Sequence, residues 1–213
     1  MTIKLYCFGE SGNAYKAALA LELSGLDWEP VYVDFFGGEA RSEDYLKNVN
    51  EMGEAPVMVD GDFKLSQSGA IQQYITDKTG KFGGNSDEER YQVLRWVLFD
   101  NHKFSSQNGM TRFLMNFLAE DKRPAPVIGF LQGRIKSELK IIESHLEGRE
   151  WMVGDGLTNA DISCCGYLFY PEPFGFVRAD WPNIDRWLSN IEQTPGWKAP
   201  YDLMPGHPSD RGL

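Results

Sequence analysis

The chain has 213 residues, 42% apolar and 24% charged, a composition suited to one large or two small packed domains and not to a disordered chain. Its 31 acidic and 21 basic residues leave a net charge of −10. So acidic a chain repels phosphate backbones and anionic lipid, so neither nucleic acid nor a membrane surface is an expected partner.

The sequence also carries no apolar run approaching the roughly 20 residues of a membrane helix, and its first residues read as a strand rather than a leader. Three cysteines, Cys7, Cys164 and Cys165, two of them adjacent, do not make a disulfide framework; the expected setting is a reducing cytoplasm. With 3 histidines and no CxxC, no metal site is expected.

Residues 3–8 form an apolar, aromatic run suited to a buried strand. Over 13–24, Ala17, Ala18, Leu19, Ala20, Leu21 and Leu23 favour a helix that Gly25 stops. Residues 29–34 alternate Val31 and Val33 with other side chains, as a strand does. Residues 43–48 hold one or two helical turns. A hairpin follows, with strands at 56–60 and 63–65 around a turn at 60–62, and then a helix over 68–78 that Gly80 ends. The predicted order in residues 1–80 is βαβαββα. After a linker at 81–86 the pattern turns all-helical: one helix from 87 to about 119, one from Pro124 and Pro126 to about 146, one starting at Thr158 and a shorter one over 183–193. The tail from Pro195 reads as irregular. The fold class is therefore α/β plus all-α, with residues 87–213 as the helical domain. Residues 1–80 carry 6 basic and 13 acidic groups, net −7, and the remainder 15 and 18, net −3. An anionic ligand of the first domain must then be met by helix N-termini and a specific arginine, not by the overall field.

Three short segments of the first domain can carry chemistry. Gly9-Glu10-Ser11-Gly12-Asn13 leads from the first strand into a helix N-terminus, where free N–H groups and a hydroxyl or amide favour an anion such as a thiolate. Ala55-Pro56 opens a strand, with Pro56 either an ordinary strand start or a cis bond, and an exposed Ala55 backbone can pair with a peptide ligand as an added strand does. Gln67-Ser68 opens the next helix, with Ser68 placed as an N-cap that can hold a carboxylate. Taken singly, each also reads as plain capping or strand initiation.

Taken together, SGN after a strand, APV, QSGAI, the βαβαββα order and the helical second half resemble the cytosolic glutathione S-transferase superfamily over nearly the whole chain. Gly38-Glu39-Ala40-Arg41-Ser42, Asn50-x-x-Gly53-x-x-Pro56 and Thr158-x-x-Asp161 match as well. The resemblance implies a thioredoxin-like glutathione-binding domain and a helical domain that supplies most of the pocket for a hydrophobic electrophile. It implies a cis Pro56, with the Ala55 backbone pairing to the cysteinyl part of glutathione, Gln67 and Ser68 on the γ-glutamyl end, and Arg41 near the glycyl carboxylate. It implies a homodimer and conjugation through the thiolate of the cosubstrate glutathione. Glutathione-dependent disulfide reduction, ether or halide cleavage, and a non-catalytic binding module are the alternatives. The Ser11-x-Asn13-x-x-Lys16 spacing looks most like bacterial members of the Nu and related groups. Ser11 is the first choice as activating residue and Asn13 the second. The chain departs from the family in having Asn50-Glu51 where Asn-Pro is usual and Ala40-Arg41 in place of a basic pair.

Thr158-x-x-Asp161 has the bland reading of a capping box. Cys7, Cys164 and Cys165 read as small buried fillers. Aromatic residues from Trp96 to Phe169 recur at helical spacing and read mostly as core.

Overall fold

The computed structural model describes residues 2–211, which form two compact units. The first begins with β1 (Ile3–Cys7), α1 (Gly12–Ser24) and β2 (Trp28–Tyr32). It continues through a 3-10 turn at Glu39–Arg41, α2 (Glu43–Asn48), β3 (Val57–Asp60), β4 (Phe63–Ser66) and α3 (Ser68–Thr79). The expected βαβαββα order is therefore found. The sheet runs β2-β1-β3-β4, with β1 and β2 parallel and the other pairs antiparallel. Pro30 is tolerated because β2 is an edge strand.

Small residues explain α1. Ala14, Ala17, Ala18 and Ala20 are all fully buried, and their lack of bulk lets this helix sit deep, packed against α3 and the sheet. Ser11 caps it by accepting from the Ala14 N–H, and Gly25, at φ 79°, ends it. Leu5, Leu21, Met58, Ile71 and Ile75 complete this core with no exposed surface.

The second unit holds α4 (Asp87–Phe99), a π-helical turn at Asp100–Phe104, α5 (Ser105–Asn116), α6 (Ala125–His145), α7 (Asn159–Cys164) and α8 (Pro182–Glu192). The single helix expected from 87 to about 119 is thus interrupted. The fully buried Asp100 accepts from the hydroxyls of Ser105 and Ser163 at 2.7 Å each, and the Ser105 N–H bonds the Asp100 carbonyl. These bonds fix an i→i+5 turn in place of an α-turn. The capping box at the start of α7 is formed. Asp161 accepts from the Thr158 N–H and hydroxyl, the Met152 N–H and the Trp187 indole, each at 2.8 or 2.9 Å. Its role is to fasten three chain segments inside the core.

The tail corrects the expected division of the chain. Residues 195–211, including α9 (Pro200–Leu203), belong to the first unit. Lys198 pairs with Glu22 at 2.6 Å, and the Tyr15 hydroxyl donates to the Lys198 carbonyl at 2.9 Å, so α1 is the surface that receives the tail.

Candidate functional site

Strand register assembles the site. Tyr6 of β1 lies opposite Val57 of β3, and Val57 lies opposite Ser66 of β4. The turn after β1, the residues before β3 and the residues after β4 therefore meet at one end of the sheet. This brings Ser11 and Asn13, Ala55 and Pro56, and Gln67 and Ser68 to the same edge from three distant stretches of sequence.

The Ser11 turn supplies donors. Ser11 is buried, and its Oγ accepts from the Ala14 N–H at 3.1 Å while its own hydroxyl proton has no acceptor among the described residues. Asn13 is half-buried, and its Oδ1 accepts from Lys16 Nζ at 3.0 Å. The Asn13 NH₂ has no partner among the described residues. With the positive end of α1, these groups make a turn that presents donors to an anion.

The Ala55–Pro56 peptide is cis. The Ala55 backbone is half-exposed, and neither its N–H nor its C=O is hydrogen-bonded among the described residues. The loop before it is braced. The Glu54 carbonyl accepts from the Tyr45 hydroxyl at 3.0 Å and the Asn50 amide at 2.9 Å. Burial, and then the Glu39 carboxylate, push the Tyr45 phenol up to about 12, which keeps it protonated and a donor. Asn50, buried and bonded, serves this loop where the family has an Asn followed by Pro. Tyr45 and Asn50 were not foreseen as supports of the site; for Asn50 the signal lay in the Asn50-x-x-Gly53-x-x-Pro56 pattern.

Gln67 and Ser68 need one correction. Gln67, not Ser68, occupies the N-cap of α3, and Ser68 is the first helical residue. Gln67 makes no side-chain cap. It stands at φ 71°, ψ 115°, a region that side chains other than glycine rarely enter, and strain of this kind gathers at ligand sites. Its amide donates to the Glu54 carboxylate at 3.0 Å. Ser68 is buried.

Arg41 is exposed and ends the 3-10 turn, with no acidic partner among the described residues. Its neighbour Ala40 packs on the same loop, since a Cβ on Gly53 would meet the Ala40 carbonyl at 3.1 Å. Gly53, at φ 65°, is the residue that permits this approach.

No cysteine can compete as a nucleophile here. All three are buried and outside any disulfide, and burial pushes the Cys7 thiol up to about 12.

The family profile for the glutathione S-transferase N-terminal domain matches residues 1–77, and that for the C-terminal domain matches residues 107–195. Glutathione S-transferase F10 of Arabidopsis thaliana is 30% identical over 207 residues, covering 90% of this chain and 94% of its own. A glutathione S-transferase structure from Xanthobacter autotrophicus is 28% identical, with a TM-score of 0.87 and full coverage of both chains. A glutathione transferase from Burkholderia graminis, solved with two glutathione molecules bound per subunit, is 27% identical with a TM-score of 0.81, covering 92% of this chain and 85% of its own. Two profiles in the same order, along a chain with this sheet and this helical second unit, place the chain in the cytosolic glutathione S-transferase superfamily, as a glutathione transferase.

Proposed function

We propose that the turn at residues 9–16 holds the sulfur of glutathione as a thiolate for attack on a hydrophobic electrophile. The observation that carries this is the pair of uncommitted donors at one helix N-terminus, the Ser11 hydroxyl and the Asn13 NH₂. A donor to the thiolate stabilises the charged form and lowers its pKa. The nucleophile comes from the cosubstrate, and the protein supplies position and charge stabilisation. Ser11 is the first choice as the activating residue and Asn13 the second.

The rest of the tripeptide follows from the same edge. The unpaired N–H and C=O of Ala55, beside Pro56, receive its cysteinyl backbone as an added strand. Gln67 and Ser68, at the start of α3, hold the γ-glutamyl end. Arg41, with no acidic partner among the described residues, faces the glycyl carboxylate. The two glutathione molecules in the Burkholderia graminis relative support glutathione as the ligand. No metal enters this scheme.

A homodimer in the cytoplasm completes the reading. Tyr91, Leu94 and Leu98 lie at i, i+3 and i+7 on α4 and are 72%, 50% and 59% exposed, an apolar stripe suited to a second copy of the chain. Light scattering at micromolar concentration tests it, and a monomer mass contradicts it.

Calorimetry with glutathione tests the site. Ser68→Ala should weaken binding by about 1–3 kcal/mol, the loss of a hydrogen bond to a charged group. Unchanged affinity removes Ser68 from the γ-glutamyl end.

A further inference from the structure

Lys16 lies in the first helical turns of α1 and is fully buried. Its Nζ is 3.0 Å from Asn13 Oδ1. A lysine ammonium has donors and no acceptor, so the atom of Asn13 that faces it must be the oxygen. That contact fixes the carboxamide in one of its two orientations, with the NH₂ directed away from Lys16. Without it, the amide can turn over and offer an oxygen, a lone pair, in place of a donor. A lone pair beside a thiolate raises the thiol pKa, and an N–H lowers it.

We propose that Lys16 is a positioning residue of the activating turn, holding Asn13 so that the amide presents N–H to the sulfur. This rests on the reading of residues 9–16 as the thiolate site. Lys16 itself is buried within α1 and acts on the sulfur through Asn13. Asn13 is short, and a partner three residues on along the same helix reaches it without bending the turn. Complete burial of the lysine keeps water from its side of the contact.

The test uses Lys16→Met, which keeps the length and apolar stem and removes the donor, with Lys16→Arg to restore it. Thermal melting of each variant establishes that it is folded. The pH titration of glutathione bound to the enzyme, followed by thiolate absorbance, is the main readout. Lys16→Met should raise the midpoint and lower the conjugation rate below that midpoint by about 3–10-fold, and Lys16→Arg should recover most of both. In an Asn13→Ala background, Lys16→Met should add little, because the group it orients is gone. A full additional loss in that background, or an unmoved midpoint in a folded Lys16→Met protein, overturns the proposal.

A second readout needs no glutathione. The side-chain amide nitrogen–proton signals of Asn13, assigned by their loss in Asn13→Ala, should be well separated in the free wild-type protein. They should collapse toward those of a mobile asparagine in Lys16→Met. Unchanged signals overturn the proposed contact. Failure of the wild-type protein to bind glutathione overturns the functional reading, and with it the role assigned to Lys16, whatever the amide signals do.

Discussion

Gly9 donates its backbone N–H to the carbonyl of Pro205 at 2.6 Å, which ties the tail of the chain to the turn that carries Ser11. The approach is close enough that a Cβ on Gly9 would lie 2.6 Å from the Gly206 carbonyl oxygen and 3.1 Å from the Tyr201 ring. Gly206, at φ 92°, is itself in a conformation that favours glycine. The turn is thus held from below by α1 and from outside by the tail.

Gly9→Ala should therefore displace the tail. Forcing one methyl into so tight a contact costs about 1–3 kcal/mol, equivalent to a fall in melting temperature of several degrees for a chain of this size. Limited proteolysis should cut within residues 195–211 faster than in the wild type, and glutathione affinity should fall because the Ser11 turn loses a support. A melting temperature equal to that of the wild type contradicts the contact.

Gln67 offers the opposite experiment. Its positive φ costs about 1–3 kcal/mol that glycine does not incur. Gln67→Gly should leave the melting temperature unchanged or raise it by a few degrees, while glutathione affinity falls by about 1 kcal/mol with the lost amide contact. A variant that is both less stable and equally good at binding would remove the case that the strain is kept for the ligand.

Ser11 has two jobs that can be separated. As an N-cap it accepts from Ala14, and as a donor it would face the sulfur. Ser11→Ala loses both, and Ser11→Gly loses the hydroxyl at a cap cost of only a few tenths of a kcal/mol. Both variants should lower the conjugation rate about 10–100-fold and raise the pH–rate midpoint. Loss confined to Ser11→Ala identifies the serine as a cap. An unmoved midpoint in both, with a raised one in Asn13→Ala, passes the activating role to Asn13.

His145 gives a pH dependence to the second unit. Burial, and then the positive charges of Arg149 and Arg95, hold its imidazole below the ordinary value, and Nε2 donates to the Met152 carbonyl at 2.7 Å. A base with a lowered pKa in the folded state contributes stability above its unfolded pKa, about 6.5, that is lost as pH falls toward the folded value. The melting temperature should drop between pH 7 and pH 5 more steeply in the wild type than in His145→Gln, by a few degrees at most. Parallel curves for the two proteins contradict this.

Much of this protein was legible in its sequence because the signals are local. Small residues in α1, Gly25 after it and the Gly61 turn state their elements within a few residues. So does Thr158 with Asp161. The two-part organisation and the family resemblance came from such pieces in order. What sequence alone did not determine depends on contacts between residues far apart. The tail reads as irregular, and only its packing on α1 and Gly9 makes it part of the first unit. Helical periodicity runs straight through Asp100, and the π turn arises because Ser163, 63 residues away, shares its carboxylate with Ser105. Ser68 has the side chain of an N-cap, yet the chain enters α3 through Gln67 at positive φ, and the cap position falls one residue earlier. Asn13 and Lys16 were visible as a spacing. That the lysine is buried, and so fixes which way the amide points, was decided by the fold packed around it.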